Sequence, residues 1–326
     1  MPNDAARPTQ PALDPGVQRF VAEVTSAFAR FPPLDTVSHG EARRIAEIVR
    51  EPWRQGGPRM YATREYSVPA AGTRLRIRVY DPGPPGLKPA LIYLHGGGWT
   101  LFSIDTHDRV MREYAARAGI TVVGVDYSLS PENKFPQALG ETVAVVDWLC
   151  AEAAGIGVDG SRLAIGGDSA GGNLAMAACL SLRDAGRAGQ IGGMLLNYGG
   201  FDVECSETAV REFGGDDNML NYAEVRLFWG NYLRGPDDAE NPLACPLRAR
   251  LGGLPPAFLT IPECDILSEQ NLLMASRLRA AGVAVETGFY RGATHSFLEA
   301  VSVSELADRA LADGSRWLAA TLRAGQ

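Results

Sequence analysis

The sequence predicts an α/β fold: a mostly parallel central sheet flanked by helices, with a helical cap over one end. Three observations carry this. From about residue 64 onward, short β-branched or apolar runs alternate with longer helical patterns, which is the order a parallel sheet with crossover helices requires. Glycine-rich segments bearing reactive side chains stand where strands hand over to helices. Two stretches, about 1–60 and 201–243, break the alternation: they hold helical patterning and aromatics (Phe20, Phe28, Phe31, Trp53; Phe213, Tyr222, Phe228, Trp229, Tyr232) but no convincing strand. They read as material added over the sheet, a cap.

The runs at 75–80, 90–94, 120–126, 162–165, 191–197, 257–261 and 283–290 read as strands, and the first two are expected to pair as an antiparallel hairpin edge. Helical patterns fall at 105–118, 137–154, 173–185, 269–281 and 305–321. At 326 residues the prior is two domains or one large sheet unit. No repeat, low-complexity tract or linker interrupts the chain, so residues 1–326 are read as a single domain.

Composition narrows the function. With 46% apolar and 21% charged residues the chain can build a large core, which argues against disorder. A net charge of −7, spread along the sequence, disfavours nucleic acid or an anionic membrane as partner. Five widely spaced cysteines with no CxxC pair suggest free thiols in a reducing compartment, not a disulfide framework or a zinc site. The polar start of the chain lacks the pattern of a secretory signal, and no apolar run approaches the roughly 18 residues of a membrane span. The expected location is the cytoplasm.

The strongest motif is Gly167-Asp168-Ser169-Ala170-Gly171, directly after a strand and before a helix. A nucleophilic serine needs its hydroxyl thrust out on a tight turn, and flanking glycines leave room for it. The pattern alone is a weak signal; its position gives it meaning. His95-Gly96-Gly97-Gly98-Trp99 follows the 90–94 strand. Successive glycines expose backbone N–H groups to a developing oxyanion, so donors are expected from Gly97, Gly98 and Ala170. Of the four histidines, His39 lies in the N-terminal extension, His95 inside the glycine loop and His107 in a helical pattern. His295 lies in a loop after the last strand, where it can reach Ser169, and is the expected base. Its acid partner should follow the 257–261 strand: Asp265 is best placed, Glu269 looks like the start of a helix, and Asp202 is a distant alternative.

The ordered set HGGGW, GDSAGG, Cys264-Asp265-Ile266-Leu267 and Thr294-His295-Ser296-Phe297, with the run from Tyr93 to Ala138, resembles the hormone-sensitive-lipase-like branch of the α/β-hydrolases, close to bacterial acetyl esterases. The resemblance covers about residues 60–325. It implies a cofactor-free, metal-free serine esterase acting on a small-molecule ester, with Ser169, His295 and Asp265 as the triad and the glycine loop as oxyanion hole. The family usually has Pro after the acid and Gly after the histidine, where this chain has Ile266 and Ser296. The Tyr127 to Glu132 run resembles a family segment that follows the strand next to the serine turn; Glu132 is expected to bond neighbouring backbone. Trp99, Phe228 and Trp229 are candidates to line an acyl pocket, although large aromatics in a cap often serve packing. Related esterases pair through the last strand and final helix, so a homodimer through that region, with Trp317 and Leu318, is a further expectation. The leading function is hydrolysis of a short-chain acyl ester through an acyl-enzyme. The alternatives are an amidase or N-deacetylase with the same triad, and a non-catalytic ligand-binding protein on this scaffold.

Overall fold

The computed structural model describes residues 11–70 and 72–323; the first ten residues of the expected cap, and the last three of the expected domain, lie outside the described residues. Two helices, α1 (Pro15–Phe28) and α2 (His39–Arg50), precede the hairpin β1 (Ala62–Ala70) and β2 (Thr73–Asp81). Then follow β3 (Lys88–Leu94), α3 (Asp108–Ala118), β4 (Thr121–Val125), α4 (Gln137–Glu152), β5 (Val158–Asp168), α5 (Ala170–Asp184) and β6 (Gly193–Asn197). Three helices, α6 (Glu207–Phe213), α7 (Tyr222–Tyr232) and α8 (Pro236–Ala239), separate β6 from β7 (Ala257–Cys264). The chain ends through α9 (Ser268–Ala280), β8 (Val285–Thr294) and α10 (Glu305–Arg323).

The eight strands form one sheet in the order β1-β2-β4-β3-β5-β6-β7-β8. Pairing is parallel from β4 through β8, while β1–β2 and β2–β4 are antiparallel. Strand alternation feeds a core on each face: Ala90, Ile92 and Leu94 enter one with α4, α5 and α9, while Leu91 and Tyr93 enter the other with α3, α10 and the N-terminal helices. Burial of both faces explains why the central strands read as continuous apolar runs.

Three expectations need correction. The edge hairpin is β1 with β2, not the 75–80 strand with the 90–94 strand, because β4 lies between β2 and β3. β1 escaped the sequence reading because most of its side chains are exposed or half-exposed, so it lacks an apolar run. By the same order, the 127–132 segment follows β4, which β3 separates from the serine strand β5. Trp317 and Leu318 are buried in the chain's own core and offer no pairing face, whereas β8 lies at the sheet edge.

The helices outside the sheet pattern gather at its carboxyl end. Asp14 caps α1 and donates its backbone N–H to the Gly292 carbonyl at 2.9 Å, joining α1 to the end of β8. Arg43 of α2 donates to the carbonyls of Thr100 and Ser130, both at 2.9 Å, and to the Glu132 carboxylate at 3.1 and 2.5 Å. Glu132 therefore holds a helix as well as accepting a local backbone hydrogen bond, at its own residue.

Candidate active site

β5 ends at Asp168 and α5 begins at Ala170, so Ser169 alone makes the turn, with φ 54° and ψ −118°. That backbone is strained for a residue with a side chain, and close packing on either side maintains it. A Cβ on Gly167 would stand 2.1 Å from the Leu94 carbonyl oxygen, and one on Gly171 would stand 1.9 Å from it. Only glycine permits this approach, which brings the first turn of α5 against the start of the glycine loop.

The structure brings Ser169, His295 and Asp265 together. Ser169 Oγ lies 2.9 Å from His295 Nε2, and His295 Nδ1 lies 2.7 Å from Asp265 Oδ2. The other oxygen of Asp265 accepts the Leu267 N–H at 3.0 Å, which fixes the carboxylate plane. Asp265 and His295 are buried, while Ser169 is partly open. The two other acids are engaged elsewhere: Asp202 pairs with Arg248 at 2.9 Å, and Glu269 accepts from Ser206. Ser296, where the family usually has Gly, takes φ 61° and ψ 10°, a left-handed backbone that explains the family's preference. Ile266, at the position of the usual Pro, is buried in the core.

The glycine loop turns sharply. Gly97 and Gly98 have φ of 109° and 59°, and the Gly97 carbonyl accepts from Thr100 and Leu101 N–H at 3.0 and 2.9 Å. Trp99 follows with a positive φ of 55° and is held flat on Tyr232, ring centroids 4.1 Å apart and planes 4° apart. Trp229 packs on Trp99 at 4.6 Å, so both tryptophans belong to a buried aromatic stack. Phe228 is different: a Cβ on Gly98 would stand 2.2 Å from its ring, which is only partly buried. Of the three expected pocket aromatics, Phe228 covers the glycine loop directly.

Sequence reasoning passed over the group beneath the turn. Asp168 accepts from the Tyr93 hydroxyl at 2.8 Å and lies 3.2 Å from His107 Nε2, all fully buried. Burial alone would raise Asp168, but the charge and N–H of His107, with the Tyr93 hydroxyl, hold it below its ordinary value. Burial likewise opposes a charged His107, and Asp168 outweighs it, so that histidine is raised. His95, stacked on Tyr127 at 4.4 Å, is pushed down to about 4 by burial and then by His107. The signal was present: three of the four histidines, among them His95 and His107, and the acid of the serine motif, Asp168, carry no assigned chemistry. Tyr198, edge-on to His295 at 5.1 Å, gave no such signal.

Comparison with known proteins agrees with this fold. A family profile described as alpha/beta hydrolase fold matches residues 91–299. An esterase from Pseudomonas putida superposes with a TM-score of 0.90 at 29% identity, covering 97% of this chain and 99% of its own. The esterase of the archaeon Pyrobaculum calidifontis gives 0.88 at 29% identity, with 97% and 100% covered. A thermostable carboxylesterase cloned from a metagenomic library gives 0.84 at 32% identity, with 88% and 98% covered. The chain belongs to the α/β-hydrolase fold family, in its hormone-sensitive-lipase-like branch.

Proposed function

We propose that this carboxylic ester hydrolase cleaves short-chain, acetyl-like esters by a two-step acyl-enzyme route, with Ser169 as nucleophile, His295 as base and Asp265 as its partner. The observation that carries the reading is the unbroken hydrogen-bonded chain, 2.9 Å from serine to histidine and 2.7 Å from histidine to aspartate. His295 Nε2 takes the serine proton as Oγ attacks the carbonyl carbon, and the carbonyl π pair moves onto oxygen. The backbone N–H groups of Gly97, Gly98 and Ala170 receive that oxyanion. Collapse breaks the bond to the alcohol oxygen, which His295 protonates as it leaves. Water, deprotonated by His295, then attacks the acyl-serine and releases the acid. Asp265 keeps the imidazole in the tautomer with its proton on Nδ1 and stabilises the cation that forms.

The cap in this reading comprises the N-terminal helices and the segment from about 201 to 243. Phe228, seated on Gly98, limits the room for the acyl chain, while Trp99 and Trp229 support the loop from their buried stack. The five free thiols suit the cytoplasm, and a homodimer would pair through the edge of β8, where Phe289 is exposed.

The test is hydrolysis of p-nitrophenyl esters from acetyl to dodecanoyl, beside the matched acetanilide. Activity peaking between acetyl and butyryl, and lowered about 10⁴-fold or more in Ser169→Ala and His295→Ala, is the expected result. Wild-type turnover in folded Ser169→Ala would sink the mechanism. Faster cleavage of the anilide than of the ester would move the assignment to an amidase.

A further inference from the structure

We propose that His107 and Asp168 form a second, non-catalytic His–Asp pair that positions the nucleophile turn against the oxyanion loop. The proposal rests on the roles assigned above to Ser169 and the glycine loop.

Asp168 and Ser169 are neighbours with opposite fates: the serine faces the site and the aspartate is buried beneath it. The aspartate has a donor on each oxygen, Tyr93 Oη at 2.8 Å on Oδ1 and His107 Nε2 at 3.2 Å on Oδ2. These donors come from different segments. Tyr93 is on β3, which feeds the glycine loop, and His107 ends the stretch that leaves that loop for α3. One carboxylate therefore ties the end of the nucleophile strand to both ends of the oxyanion loop. Its contact with the loop itself is also close: a Cβ on Gly96 would stand 2.3 Å from Asp168 Oδ2, so any larger residue at position 96 would displace the carboxylate.

The histidine is oriented from its other side. Thr106 Oγ1 lies 2.9 Å from His107 Nδ1 and gives its own proton to the Ser103 carbonyl at 2.8 Å, while accepting the Ser103 N–H at 3.1 Å. Towards the ring, that hydroxyl acts as an acceptor. An acceptor stands at each ring nitrogen, so His107 carries both protons and the pair with Asp168 is charged and hydrogen-bonded. Phe102 packs against the same ring at 5.8 Å, tilted by 57°, and Arg50 of α2 lies over the Phe102 ring, 5.0 Å from its centroid. A charged pair placed here, out of reach of substrate, holds backbone donors at the distance the transition state needs.

The role predicts a loss in kcat without a matching change in KM, because a displaced oxyanion loop weakens the transition state more than the bound ester. In His107→Leu, Asp168 loses one donor at nearly constant volume; kcat on p-nitrophenyl acetate is expected to fall about 100-fold with KM within about twofold. His107→Gln places an amide N–H close to the position of Nε2 and is expected to keep kcat within about threefold of wild type. Should His107→Leu fail to fold, Tyr93→Phe, which deletes one oxygen, carries the test with an expected fall of about tenfold in kcat. A merely structural role lowers the unfolding temperature of the leucine variant and leaves kcat per folded molecule unchanged, and that result overturns the proposal. So does a glutamine variant as slow as the leucine one, or an unchanged Tyr93→Phe. Ser169→Ala is assayed alongside: if it retains turnover, the reading of the nucleophile has failed, independently of how the His107 variants behave.

Discussion

Asp265 differs from the other acids near the site less in position than in how its two oxygens are occupied. Oδ1 takes the Leu267 amide at 3.0 Å and Oδ2 takes His295 Nδ1 at 2.7 Å, so both oxygens are engaged and the carboxylate is held against the imidazole. Asp202 spends both oxygens on Arg248, at 2.9 and 3.1 Å, and has none to offer the histidine. Asp265→Asn replaces an acceptor by an N–H donor on one side, and either orientation of the amide disturbs what the carboxylate does. If the amide nitrogen faces His295, the imidazole is driven to the wrong tautomer. If the amide oxygen faces His295, the nitrogen confronts the Leu267 N–H. The expected loss in kcat is about 10⁴-fold with a near-native fold. Asp202→Asn leaves kcat within about twofold, since it weakens one partly exposed ion pair, with Arg248, that takes no part in the hydrogen-bonded triad. Steady-state kinetics on both variants decides between them, and a large loss in the Asp202 variant with little in the Asp265 variant would reverse the assignment.

On α7, two adjacent aromatics do different work. Trp229 is buried against the stacked pair of Trp99 and Tyr232, and Phe228, one residue earlier, turns its ring onto Gly98. The helix is started by a capping box in which Asn221 and Glu224 satisfy each other's backbone N–H groups, so the register of both aromatics is fixed from its first turn. Phe228→Ala is expected to open space over the glycine loop and shift the preferred acyl group towards hexanoyl or octanoyl, read as a change in relative kcat/KM across the ester series. Trp229→Ala is expected to cost about 3 kcal/mol or more of stability in urea unfolding and to leave the chain-length profile close to wild type. An unchanged profile in Phe228→Ala removes it from the pocket. This distinction was hidden from the sequence, where both residues are simply aromatics in a helical stretch. What was legible were features that physics writes locally: apolar strands buried on both faces, the glycine-flanked serine turn, and the loop histidine after the last strand. What was not legible depends on distant partners. β1 is recognised only once β2 lies beside it, Glu132 meets Arg43 across 89 positions, and Asp168 meets His107 across 61.

At the scale of the whole molecule, the buried cluster under the site couples stability to pH. His95 donates from Nδ1 to the Gly96 carbonyl at 2.7 Å, and among the described residues its Nε2 has no hydrogen-bond partner, so the ring is neutral. Protonating it would place a second charge 5.6 Å from the His107 ring in a water-excluded interior, and its value is accordingly depressed from 6.5 to about 4. Between those limits the unfolded chain takes up the proton and the folded chain does not, so stability falls as pH drops from about 6.5 to about 4. His107 acts with the opposite sign. Its raised value makes its contribution complete below the ordinary 6.5 and lost as pH rises through the folded value, so it adds no slope in the acid range. Asp168, held low, contributes above its ordinary 3.8 and loses that contribution only at more acid pH. Glu47 and Glu224, raised by burial, oppose the fall, but they remain in any His95 variant. The comparison of wild type with His95→Asn therefore isolates one group. Urea unfolding at about pH 7 and about pH 4.5 is expected to show the wild type losing roughly 2 kcal/mol more than the asparagine variant over that interval, whatever the variant's stability at neutral pH. Equal losses in the two proteins would mean that His95 takes up its proton in the folded state, and that the interior beneath the glycine loop admits enough water to hold it.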